Sequence, residues 1–188
     1  MENARTQRNI VLVLKLLLFS YLGYLAYFLA TGYHPESALY RPPFALFVLD
    51  TINLFIHEAG HFFFRIFGQF VYILGGSAFQ VLLPLVLLIV TWRQDVSQIS
   101  YAGFWVGENM INVSAYIADA PFKRLRLINP HLIHDWNWLL RNHLDDAETL
   151  ADFVFVTGLL VCIGAVITGV VFAVRGWKVP LVKSSIPD

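Results

Sequence analysis

Between Phe44 and Phe67 the chain reads FALFVLDTINLFIHEAGHFFFRIF, a run of bilayer length made mostly of Leu, Ile, Val and Phe. A segment this apolar has to satisfy its own backbone hydrogen bonds, which makes a helix the expected form. At about 100° per residue, Asp50, Asn53, His57, His61 and Arg65 fall on one narrow stripe of that helix. Such a stripe is costly toward lipid, so it should face a protein interior or a water-filled pocket. Ionisable residues inside an apolar span mark functional sites by default.

At the centre of the stripe stands His57-Glu58-Ala59-Gly60-His61, which fits H-E-x-x-H. Two His four apart sit one helical turn apart on one face and can hold a Zn²⁺ between them. The Glu after the first His is then placed to accept a proton from water, the role of a general base in a metallohydrolase. The opposing reading is two core histidines with ordinary partners. In a span where each polar group needs a partner, the metal reading is the stronger.

The remainder of the chain extends the membrane pattern. The sequence has 188 residues, 57% of them hydrophobic and 14% charged, and it reads as a single integral membrane domain over 1–188. Further spans are expected at Ile10 to Ala30, Phe70 to Trp92, Ile99 to Ala118 and Phe153 to Val174, which makes about five with the first run. The first is too long for a signal-peptide core, carries Lys15 and lacks a small-x-small cleavage site, so a retained span is expected. In the third, Gly75-Gly76-Ser77 predicts close packing or a kink, and Gln80 reads as a helix-to-helix hydrogen bond rather than a site residue. Ala165, Gly169 and Ala173 form a small-residue seam in the fifth, and Cys162 reads as a packing residue. The expected fold is therefore all-α, a polytopic helix bundle. A short interfacial helix around Trp136 and Trp138 is expected in the polar loop 121–152. Thirteen basic residues balance thirteen acidic ones, and no basic cluster is dense enough to suggest nucleic acid.

In the fourth span, Glu108, Asn112, Ala115 and Asp119 make a second polar stripe. Two reversals separate it from the first, so both stripes run in the same direction and Asp119 comes near the end that carries His57 and His61. A catalytic zinc site needs three protein ligands and an open position. Asp119 is the first candidate for the third, His134 or Asp135 from the following loop the second, and Glu108 and Glu148 weaker ones. Asp119 as a water-facing helix end and His134 as a surface residue are the plain alternatives. Asp50, Asn53, Glu108 and Asn112 are expected to support the ligands or bind substrate, with Asp50 either paired to Lys15 or protonated. Counting Lys and Arg, the side holding the N-terminus, the motif end and the long loop has eight against five, which predicts a cytoplasmic N-terminus and a site near the cytoplasmic face.

The H-E-x-G-H pattern in an apolar helix resembles the site-2 protease family of intramembrane zinc metalloproteases. That resemblance implies a zinc cofactor held by His57 and His61 with an Asp on a later span, and Glu58 as catalytic base. Around Asp119 the family's Leu-Asp-Gly is replaced by Ala118-Asp119-Ala120, and the Asn-Pro run before it is missing, although Asn112 sits seven residues earlier. His134-Asp135-Trp136 has no counterpart in the family, and a separate family of membrane metallopeptidase-like proteins is the alternative. The expected function is a zinc metallohydrolase in the bilayer that cleaves a membrane protein or juxtamembrane peptide. A lipid amide or ester hydrolase and a non-catalytic transport or structural metal protein are the alternatives.

Overall fold

A computed structural model of the chain, in which residues 2–127 and 132–178 are described, is all-helical, with no strand among the described residues. Its helices are α1 (Glu2–Thr31), α2 (Phe44–Phe64), α3 (Gln69–Gln94), α4 (Ile99–Ala118), the short α5 (Asp135–Leu139) and α6 (Ala147–Lys178). Each expected span falls on a helix. α1 also takes in the polar residues ahead of Ile10, and α6 begins at Ala147, within the stretch expected to be loop. Lys183, one of the five Lys and Arg counted on the side away from the N-terminus, and His131 of the polar loop lie outside the described residues.

Three helical segments, Asn3–Thr31, Gln69–Gln94 and Leu144–Lys178, are long and apolar enough to cross a membrane, which marks the chain as a membrane protein. α2 and α4, of 21 and 20 residues, are not among these three, and both carry polar residues on their buried faces.

The polar helices are held by close approach at small residues. A Cβ at Gly107 would lie 2.5 Å from the carbonyl oxygen of Gly158, and one at Gly158 would lie 2.7 Å from that of Gly107, so α4 and α6 cross with backbones touching. α2 and α3 do the same at Gly60, where a Cβ would collide with the Gly75 carbonyl. The hinge between them is Gly68, whose φ of 89° suits glycine. On α6, Ala165, Gly169 and Ala173 are all buried, and Phe19 of α1 fills the notch at Gly169. Between these helices lies a core of Leu25, Leu29, Leu46, Phe104, Ile111 and Cys162, with the Cys162 thiol 3.6 Å from the Phe104 carbonyl. Cys162 is thus a packing residue.

A second apolar cluster decides where the long loop goes. Val113, Ile117 and Ala151 are buried together, and Trp136 and Leu140 pack against them. The loop that leaves α4 therefore returns over α3 and α4, with its first helical residue, Asp135, turned inward and buried.

Gly107→Ala and Gly158→Ala are expected to lower the thermal unfolding temperature in detergent, since each puts a methyl against a backbone that cannot yield and overpacking of this kind costs about 1–3 kcal/mol. Gly164→Ala, where a Cβ meets nothing within 4 Å, is expected to show no loss.

Candidate metal centre

One turn of α2 presents His57 and His61 on the same face. His61 Nδ1 lies 2.9 Å from the carbonyl oxygen of Tyr72, which can only accept, so this nitrogen carries the proton. His57 Nδ1 lies 3.3 Å from Gln80 Oε1. With both Nδ1 atoms engaged, the Nε2 atoms turn toward one another, 3.2 Å apart. Into this gap comes Asp135, its Oδ2 2.8 Å from His57 Nε2 and 3.1 Å from His61 Nε2.

Three lone-pair acceptors that close repel unless something positive lies among them. Two imidazoles and a carboxylate are also an ordinary donor set for a divalent transition metal, so the residues fit a metal ion. Gly76 gives a second, independent indication. A Cβ there would stand 2.6 Å from His57 Nε2 and 2.7 Å from His61 Nε2, so the glycine keeps open the space in front of both nitrogens.

Several hydrogen bonds place Asp135. Its own N–H donates to Tyr116 OH at 3.1 Å, and Trp136 Nε1 donates to Ser77 Oγ at 3.0 Å, next to Gly76. Asn137 Nδ2 donates to the Ala120 carbonyl at 2.9 Å. His134 caps α5 by accepting from Asn137 N, which leaves its Nε2–H to donate to Asp119 Oδ2 at 3.2 Å. Burial pushes the Asp135 carboxyl up, but its contacts with the His57 and His61 rings outweigh it and hold the group below the usual carboxylate range. Asp135 is therefore a carboxylate, the form a metal requires. The His134 imidazole is pushed down by burial despite the pull of Asp119.

Of the candidates for third ligand, Asp135 is brought to the histidines and Asp119 is not. Asp119 caps the end of α4, where its carboxylate accepts from the N–H groups of Arg124 at 2.8 Å and Leu125 at 2.9 Å as well as from His134. It therefore ties down the base of the loop that delivers Asp135, and it is buried rather than facing water. Glu148 is exposed on the first turn of α6, and Glu108 is fully buried among other partners. The α2 stripe ends at His61, because Arg65 starts a 3₁₀ turn and points outward.

Glu58 lines the same cavity as His57, His61 and Asp135, a space of about 1030 Å³ whose wall also includes Phe47, Leu54 and Tyr72. Deeper on α2 and α4 is a second polar group. Asp50 Oδ1 accepts from Tyr33 OH and from Asn112 Nδ2, each at 2.9 Å, and its carboxyl touches that of Glu108. Asn53 Nδ2 donates to both Glu108 oxygens at 3.1 and 2.8 Å, while Trp105 Nε1 donates to Asn53 Oδ1 at 3.0 Å. Asp50 thus has Tyr33, Asn112 and Glu108 as partners, not Lys15. Gln80 joins the two groups, with His57 on one side and Asn112 on the other, its Nε2 donating to Asn112 Oδ1 at 2.8 Å. It makes the helix-to-helix bond expected from the sequence and supports a site residue as well.

Asp135→Ala is expected to abolish metal retention by the purified protein, measured by elemental analysis, whereas Asp119→Ala weakens it by about 10–100-fold through a loosened loop. Gly76→Ala, which alters no ligand, is expected to reduce bound metal as severely as loss of Asp135, because the methyl occupies the space before both Nε2 atoms. Comparison with protein-family models, with curated proteins and with solved structures finds no match.

Proposed function

We propose that the protein is a membrane-embedded zinc metallohydrolase in which His57, His61 and Asp135 hold the ion and Glu58 is the general base. The convergence of His57 Nε2, His61 Nε2 and Asp135 Oδ2 within 3.2 Å of one another carries this reading. His57, His61 and Asp135 would hold the ion, which when bound would supply the Lewis acidity that polarises a carbonyl and makes a water acidic enough to lose a proton near neutral pH. Glu58, on the same cavity wall, accepts that proton and returns it to the leaving amine. Tyr72 and Gln80 hold the two imidazoles in orientation through their Nδ1–H groups. The resemblance to site-2 proteases extends to the His pair and the Glu, while the third ligand here comes from a loop instead of a span.

The membrane setting favours a peptide segment in or beside the bilayer as substrate. α2 exposes Phe55 and Phe62 at 68% and 74% on the face away from its buried residues, which suits lipid and not water. With α2 and α4 crossing alongside α1, α3 and α6, the chain makes five passes with the bilayer as its surroundings. The excess of Lys and Arg then puts the N-terminus and the metal centre on the cytoplasmic side.

Elemental analysis of the detergent-purified protein should find about one zinc per chain, lost in the His57→Ala/His61→Ala double mutant. Glu58→Gln should keep that zinc and lower hydrolysis of a membrane peptide by about 10²–10⁴-fold, the usual weight of a general base. Zinc retained equally by the double mutant removes the reading. Cleavage of lipid and not of peptide would keep the site and change the substrate.

A further inference from the structure

We infer that Asp50 is a positioning residue that sets the tautomer of His57 from three hydrogen bonds away, acting through the side-chain amides of Asn112 and Gln80. The inference builds on His57 as a metal ligand, and it concerns which ring nitrogen that ligand offers.

The three bonds are continuous. His57 Nδ1 meets Gln80 Oε1 at 3.3 Å, Gln80 Nε2 donates to Asn112 Oδ1 at 2.8 Å, and Asn112 Nδ2 donates to Asp50 Oδ1 at 2.9 Å. A side-chain amide has an accepting end and a donating end, and it can be turned over with little change of shape. Turning one of the two alone would set oxygen against oxygen or NH₂ against NH₂. The pair therefore has two self-consistent arrangements, both amides as found or both reversed.

His57 is different in the two. As found, Gln80 Oε1 calls for a proton on Nδ1 and frees Nε2 for a cation. Reversed, Gln80 would offer NH₂ to Nδ1, the proton would move to Nε2, and His57 would donate to Asp135 in an ordinary buried His–Asp pair. The first arrangement makes a metal site and the second closes it.

Nothing in Gln80 or Asn112 alone decides between them. Asp50 does, because its Oδ1 lies 2.9 Å from both Tyr33 OH and the Asn112 amide, and a carboxylate oxygen there can only accept. Tyr33 reinforces the choice, since its hydroxyl spends its one proton on Asp50 and accepts from Asn112 Nδ2 at 2.7 Å. Glu108 is fixed in its turn: Trp105 can only donate, so Asn53 must present its NH₂ to Glu108. One acceptor-only oxygen thus orders two amides and an imidazole that lie on three different helices.

The test is the ring-nitrogen state of His57 in metal-free protein, read by ¹⁵N NMR of histidine-labelled protein in detergent at a pH where the imidazoles are neutral. His57→Ala identifies its signal. Wild type should show the Nδ1–H form. Asp50→Asn, which can present either end to Asn112, should give a mixture of tautomers and a loss of zinc affinity of about tenfold. Adding Gln80→Glu supplies an acceptor at Nδ1 that no longer depends on Asp50, so the Asp50→Asn/Gln80→Glu double mutant should recover both the tautomer and the affinity. Asn112→Ala cuts the same chain and should behave as Asp50→Asn does, with the same rescue, which keeps the test usable if Asp50→Asn does not fold. An unchanged His57 signal in Asp50→Asn or Asn112→Ala overturns the inference, as does a loss that Gln80→Glu does not repair. Absence of zinc binding by wild type would instead remove the metal reading while the tautomer result still stands.

Discussion

A polar side chain inside an apolar helix bundle has to find a partner there, and the interior of this protein is arranged around that requirement. α2, α3 and α4 contribute His57, His61, Gln80, Asn112, Asp50, Asn53 and Glu108, and every one has a hydrogen-bond partner. A lone buried carboxyl or amide would cost about 1–3 kcal/mol or more, so these groups are stable only as a set. Their order along the set is chemical. Donor-only Trp105 and the acceptor-only Tyr72 carbonyl close two ends, and Asp50 fixes the direction of the amides between.

The polar set can meet only if the helices carrying it come close, and glycines provide the approach. Gly60 against Gly75 draws α3 onto α2, Gly76 opens the space that the two imidazoles face, and Gly107 against Gly158 seats α4 on α6. The same residues thus set the packing and the room at the site. A methyl at Gly76 and one at Gly158 would both be steric errors, but the first falls on chemistry and the second on stability.

Much of this could be read from the sequence where the signal is periodic. The apolar runs gave the helices, and the stripes on α2 and α4 gave their inward faces, because a helical residue's direction follows from its number. The His pair with Glu58 followed for the same reason. Asp119 continued the α4 stripe by one more turn, but α4 ends at Ala118, and past that point the chain no longer follows the wheel. Asp135 comes from a loop whose course depends on Trp136 and Leu140 packing against Val113 and Ile117, contacts between distant segments that no period announces. Gln80 was visible as a polar residue in an apolar helix. Its link to His57 was not, since the link depends on how α2 crosses α3.

Asp135 follows His57 by 78 positions and opens the short α5, in the connection between α4 and α6. As the chain is synthesised, the two histidines are made long before their third partner exists, and the cluster is completed only once the loop after α4 has emerged and folded back. On the proposed metal reading, the compartment that receives that loop is the one whose metal supply would load the site, so chain topology would select the ion's source before any affinity does.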